Sequence, residues 1–266
     1  MLKTIIDNNR TIWQIHLSGG NLVAIEERAN KEAFFSVLDT SNNEIILKDY
    51  QFEEKSWVGI EQLYRDKIIF HWYQTPEMPY HKGVAIFDIN KKEILWKNEF
   101  EKFVTVKNDK IYTIMHKMLG EEIKVYEINT GKVSDVITDT KSIENIFNSI
   151  DNSYIYKNYL YPLYYDEIDD ENIYSVIEKL TSNSSYLLNE IEVIENNKYY
   201  YISFQEKIQG NYTNTLVVYN NELQKVVDKI VLNKSNKMIK SSYFVINDNL
   251  YLIIDKNKII CTNYTE

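Results

Sequence analysis

The sequence predicts an all-β chain, with residues 1–266 as a single domain: a six-bladed β-propeller, four antiparallel strands per blade, its ring closed by the N-terminal strand. Three observations predict it. One hairpin recurs six times. A second hairpin falls between the copies. The last repeat is one strand short, and the first residues supply a spare one.

The recurring hairpin is a strand, a polar turn and a strongly apolar strand with polar residues at its end. The copies are LSGGNLVAIEER from Leu17, LYRDKIIFHWYQ from Leu63, VKNDKIYTIMHK from Val106, IYKNYLYPLYYD from Ile155, IENNKYYYISFQ from Ile194 and VINDNLYLIIDK from Val245. Their turns, at Gly20, Asp66, Asp109, Asn158, Asn197 and Asp248, are spaced by 46, 43, 49, 39 and 51 residues. Only 3 Pro and 7 Gly punctuate the chain. Asn and Asp therefore carry most turns, since both tolerate left-handed backbone and bond their own main chain. The runs between are rich in Ile, Val, Tyr and Phe, which suit a pleated surface.

The second hairpin starts at Val37, Ile86, Val125, Val176 and Val218, where an apolar strand ends in a polar turn before a new strand begins. Each repeat thus holds four strands, a to d, and a period of about 40–50 residues is that of propeller blades. After strands b (250–255) and c (258–262) the sixth repeat stops. Leu2 to Asp7 precedes the first a strand and fits the vacant place, which would cover an exposed edge. Pro162 falls inside the fourth b strand, where a missing N–H breaks a ladder. The fourth repeat, about Ile143 to Leu188, is also the least regular. The best helical stretch, around Lys141 to Ile150, is short.

The segments VAIFDINKKEILWKNEF and IKVYEINTGKV resemble repeats of WD40-like and quinoprotein-like propellers through Asp88, Trp96, Glu127 and Gly131. The wider pattern, WQIHLSGGNLVAIEER with FSVLD and then FHWYQTPEMPYHKG, resembles an uncharacterised bacterial family of such propellers, a domain of unknown function. The resemblance implies fold and size, and brings no activity with it.

Composition narrows the function. The 266 residues are 44% hydrophobic and 26% charged, with a net charge of −9 and a pI near 5.1. An acidic chain is a poor match for nucleic acid, whose phosphates need a basic surface, or for an anionic membrane. The lone Cys261 makes no internal disulfide and has no zinc-site spacing. The opening MLKTIIDNNRTIWQ lacks the apolar core of a signal peptide, and no stretch nears the ~18 apolar residues of a membrane helix. A cytoplasmic monomer is expected. Cys261, in the alternating run KIICTN, is expected to be buried.

Motifs of chemistry are missing: no phosphate loop, nucleophile elbow, zinc helix or calcium loop occurs. The sequence therefore assigns no catalytic residue, no metal and no cofactor. The five carboxylates Asp166, Glu167, Asp169, Asp170 and Glu171 read as a solvated loop, because like charges repel.

In the expected ring, the ends of the b strands gather Glu27 and Arg28, Tyr73 and Gln74, His116 and Lys117, Tyr165 and Asp166, Gln205 and Glu206, and Asp255 and Lys256 around one mouth. The loop YQTPEMPYHKG is the longest with both proline and aromatics. Proline lowers the entropy lost on binding, and aromatics and Arg dominate binding hot spots. The candidate binding residues are Arg28, Trp72, Tyr73, Tyr80, His81 and His116, with Pro76 and Pro79 holding the loop stiff. Trp72 is the member that strand alternation can instead turn towards a neighbouring blade. The expected ligand is a protein or peptide, bound without chemistry.

The alternative is a small-molecule or glycan hydrolase, or a sugar sensor, at the same mouth, using Glu26 or Glu27, Asp166 and a histidine. His71 occupies a slot that is Ile25, Ile114, Leu163, Ile202 or Ile253 in the other copies, so a core role is expected for it. Were it to face the mouth, His81 and His116 would be its neighbours, and three histidines beside carboxylates can hold a metal or act as acid and base.

Overall fold

A computed structural model of the chain describes residues 2–75, 78–118, 120–182, 184–196 and 198–264. It divides into two compact units, residues 11–157 and residues 1–10 with 158–266. Among the described residues, no helix is long and apolar enough to cross a membrane.

The discontinuous unit begins with β1 (Lys3–Asp7). The continuous unit, 11–157, follows as three meanders. The first is β2 (Thr11–Leu17), β3 (Leu22–Ala29), β4 (Glu32–Asp39) and β5 (Glu44–Tyr50); the second is β6 (Val58–Tyr64), β7 (Lys67–Thr75), β8 (Met78–Asp88) and β9 (Glu93–Asn98); the third is β10 (Lys102–Lys107), β11 (Lys110–Lys117), β12 (Gly120–Glu127) and β13 (Val133–Ile137). Each meander is a four-stranded antiparallel sheet whose strands neighbour in sequence order. The unit ends with α1 (Thr140–Asn148), capped by the Asp139 carboxylate on the Ser142 N–H.

Alternation explains the packing. On β7, Ile68 and Phe70 face the first sheet and join Ala24, Phe35, Val37 and Leu47. Ile69 faces the other way and joins Val84, Ile86, Phe103, Ile111 and Tyr126 of the second and third sheets. The second sheet is buried on both faces, which is why its central strand reads as the near-continuous apolar run KIIF. Sheets stacked in sequence order through opposite faces are a propeller-like arrangement.

In the other unit, β14 (Tyr159–Leu160), β15 (Leu163–Tyr164) and α2 (Glu171–Thr181) precede β16 (Glu192–Asn196), β17 (Tyr199–Ile208), β18 (Asn211–Asn220) and β19 (Lys225–Ser235), and then β20 (Tyr243–Ile246), β21 (Asn249–Ile254) and β22 (Lys258–Thr262). Two five-stranded sheets result, ordered β15-β16-β17-β18-β19 and β1-β22-β21-β20-β14.

The six-bladed closed ring is therefore corrected. The described residues form five antiparallel sheets of four or five strands, and none of them closes into a ring or barrel. The fourth repeat is not a blade. Its Val176 hairpin is instead α2, which starts at the Asp170 cap on the Asn172 N–H and has Glu171 in its first turn. Ile173, Val176 and Ile177 recur at helical spacing and are buried. They cover a face of β17 and β18 through Tyr200, Ile202, Phe204, Val217 and Tyr219. The opposite face, with Tyr201, Leu216 and Val218, packs on Tyr243, Val245, Leu250 and Leu252. One amphipathic helix thus does the work expected of a sheet. Pro162 lies between β14 and β15, which pair with different partners, β20 and β16.

The N-terminal pairing is as expected. β1 lies antiparallel beside β22, from Lys3 opposite Cys261 to Asp7 opposite Lys258, with Ile6 buried. Deleting residues 1–9 is expected to leave β22 as an open edge and to remove the burial of Ile6, about 2 kcal/mol. A lower midpoint in urea checks this; an unchanged midpoint would show that the pairing contributes nothing. Cys261 is buried, and burial pushes its thiol pKa up.

Candidate functional site

An open cleft of about 1430 Å³ lies in the unit 11–157, at the end of its sheets that carries the β7–β8 hairpin, the β5–β6 connection and the β9–β10 connection. Trp72, Tyr73, Tyr80, His81 and His116 all line it. Arg28 does not. Pro76 lies outside the described residues, and of Pro79 only the backbone, within β8, is described.

Local chemistry sets each side chain. Trp72 is half-buried against the cluster shared by the first two sheets, edge-on to Phe52 with ring centroids 6.1 Å apart. It sits over Gly83, whose φ is +68°, and a Cβ there would meet the indole at 2.5 Å. Only glycine allows both the left-handed backbone and this approach. The Tyr73 N–H donates to the Trp57 carbonyl at 3.0 Å, tying the hairpin to the β5–β6 connection. Tyr80 is 64% exposed and Phe100 83%. With Trp57 and Ile94, they bring four exposed large apolar side chains to one cleft. Trp96 stands behind them, its indole N–H on the Ile128 carbonyl at 2.7 Å. His116 is solvent-facing, with Nδ1 2.9 Å from Glu121 Oε1.

Arg28 serves the interior. Its Nε donates to Glu26 Oε1 at 2.8 Å, and its terminal nitrogens donate to the carbonyls of Ser56 at 2.8 Å and Val58 at 2.6 Å. Glu26 is fully buried. Glu27 is buried as well, and Asp166 belongs to the other unit, in a short turn, Tyr165–Glu167.

His71 meets His81, one of the two histidines considered as its neighbours, together with Glu61, which the sequence did not single out. His71 is 2% exposed and stacks flat on His81, with centroids 3.5 Å apart and 9° between planes. Both Nδ1 atoms face one oxygen, Glu61 Oε2, at 3.1 Å from His71 and 2.7 Å from His81. His116 pairs elsewhere and is not among them. Burial acts on His71 first and lowers its pKa, against the opposing pull of Glu61. Burial alone would raise the Glu61 carboxyl, but the two histidines bring it below its ordinary value. His16 is pushed down to about 4, by burial and then by His71.

Two bulges build this cluster. Ile60 pairs with Phe70 and Gln62 with Ile69, so Glu61 is the extra residue of β6. Phe70 pairs with Ala85 and Trp72 with Lys82, so His71 faces two residues of β8. Bulges re-aim side chains and are common beside functional sites. The signal for Glu61 was present: VGIEQLY breaks its alternation at the adjacent polar pair Glu61 and Gln62.

Residues 18–96 match the family model of DUF4905, a domain of unknown function. The resemblance to such a domain is borne out over that stretch. No curated protein matches the chain. Among solved structures it is similar to the AfRom2 CNH domain, at 8% identity over all of both chains with a TM-score of 0.33. It is also similar to TolB from Acinetobacter baumannii, at 11% identity over 93% of this chain and 42% of that one, TM-score 0.30. A third is the tricorn protease, at 11% identity over 95% and 29% of the two chains, TM-score 0.33. The chain spans less than half of the TolB and tricorn chains. Similarity at this level fixes neither an architecture nor an activity.

Proposed function

We propose that the cleft of the unit 11–157 binds a peptide segment of a partner protein, with no reaction on it. One observation carries the reading: Trp57, Tyr80, Ile94 and Phe100, all exposed, converge on the same cleft. Large apolar side chains gathered around a concavity mark an interaction site. Half-buried Trp72 and Trp96 give the floor rigid aromatic surface at small entropy loss. Lys82, Lys97 and Lys102 share the lining with Glu53, Glu54 and Glu99, so a mixed-charge rim surrounds the apolar part. The ligand this fits is an extended peptide with one or two aromatic or large aliphatic anchors. The cytosol is the proposed setting, which a single unpaired, buried cysteine suits.

The test is selection of a displayed peptide library on the immobilised chain, then anisotropy titration of the enriched peptides. Tyr80→Ala and Phe100→Ala are each expected to weaken binding about tenfold or more, the scale of a hot-spot truncation. Leu223→Ala, an exposed change in the other unit, is expected to leave it unaltered. No enrichment, or equal affinity for Tyr80→Ala and wild type, overturns the reading.

A further inference from the structure

We propose that Glu61, His71 and His81 form a binding site for a single divalent transition-metal ion of the zinc, cobalt or nickel kind. Their ligand atoms all lie within 4.8 Å of one another. The shared contacts of 3.1 and 2.7 Å are a few tenths of an ångström short of the roughly 3.3 Å that tetrahedral ligands keep when each bond is near 2.0–2.1 Å, so small side-chain shifts open the site.

A second observation points the same way. His71 is buried, yet neither ring nitrogen makes a hydrogen bond among the described residues. Its Nδ1 is close to Glu61 but out of line for one. An orphaned buried polar group is costly and rare. Two imidazoles crowd one carboxylate oxygen, and only His81 hydrogen-bonds it, at 2.7 Å. The rings lie in nearly parallel planes with centroids 3.5 Å apart, so a cation meets all three groups once His81 tilts out of the stack.

The scaffold supports it. Each ligand comes from a different strand, β6, β7 and β8, and Glu61 and His71 both stand at bulges. Gly59, paired with His71, makes room for the ring: a Cβ there would sit 3.1 Å from its Nε2. Tyr73 braces both imidazoles edge-on, at 5.0 and 5.5 Å between centroids. His81, the more exposed ring, can turn about χ2 to complete the set. Because His81 also lines the cleft, the ion has a path to solvent and keeps a coordination position open to it. Two imidazoles and one carboxylate favour borderline metals; calcium and magnesium prefer all-oxygen shells.

The experiment uses the whole chain, stripped with chelator and titrated with Co²⁺ under visible absorption and calorimetry. One Co²⁺ per chain, with d–d bands and displacement by Zn²⁺, is expected. His81→Ala and Glu61→Gln should each weaken binding tenfold or more, whereas Asp169→Asn, in the acidic turn before α2, should not. His81 and Glu61 are partly exposed, so these variants test the site even if the buried His71→Ala fails to fold. Absence of stoichiometric binding overturns the proposal. So does unchanged affinity in His81→Ala, or a loss that follows Asp169→Asn instead.

Discussion

Arg28→Ala is expected to destabilise the chain by about 3–5 kcal/mol, the range for removing one partner of a buried ion pair. The guanidinium ties β3 to the chain entering β6 through the Ser56 and Val58 carbonyls while neutralising Glu26. Glu26 Oε2 separately accepts the Ile60 N–H at 3.2 Å. Without Arg28, a fully buried carboxylate loses its counter-charge and two carbonyls lose their donor. Arg28→Lys should recover only part of the loss, because a point ammonium cannot span three acceptors. Replacing both partners, with Glu26→Leu and Arg28→Met, should recover more than Arg28→Lys. Urea midpoints decide it: a loss under about 1 kcal/mol for Arg28→Ala would show that the pair is not a fastener. With the expected large loss, weakened ligand binding in that variant reports folding rather than recognition.

Glu101→Ala comes second, at about 2–4 kcal/mol, below the buried-pair range because the lysine partner is partly exposed. The carboxylate is buried and holds three donors: Lys124 Nζ at 2.7 Å, Thr113 Oγ1 at 2.6 Å and the Tyr126 hydroxyl at 2.8 Å. Burial by itself would raise its pKa, but these donors bring it below the ordinary value of 4.5. The folded state thus binds fewer protons than the unfolded state in the window just below 4.5. The stabilisation is fully present above that window and is lost as pH falls through the lowered value. Glu101→Gln should therefore be less stable than wild type at neutral pH and show a shallower loss on acidification. Parallel pH profiles for the two proteins would sink the assignment.

The sheets were legible because their turns announce themselves. Asn108 with Asp109, and Asn247 with Asp248, both have positive φ at successive positions, the twist that tight hairpins need. Helix α1 was visible around Lys141. Helix α2 was not, because Val176 and Ile177 read equally well as the start of a strand; Ile173, one turn earlier, was the residue that distinguished the periods. The cleft was largely legible, since Trp72, Tyr73, Tyr80, His81 and His116 sit at strand ends that any meander brings together. Arg28 misled because chemistry that anchors ligands also anchors strands. Glu61 left only a local trace, the adjacent polar pair Glu61 and Gln62 that interrupts the alternation of β6, and its partners on β7 and β8 lie too far along the chain for that trace to name them.

The pairing of β1 with β22 also sets an order of events during synthesis. The unit 11–157 is continuous in sequence, so all of its strands have left the ribosome while much of the other unit is still unmade. The sheet that contains β1 must wait until β22 emerges after the entire intervening chain. During that interval β1 lacks its partner strand, Ile6 has no place to bury, and the edge it will cover does not exist. Such long-range closure is slow and leaves strand edges open to wrong partners. The hazard of aggregation thus falls in the interval before β22 emerges, in the unit whose sheet joins residues 3–7 to residues 258–262.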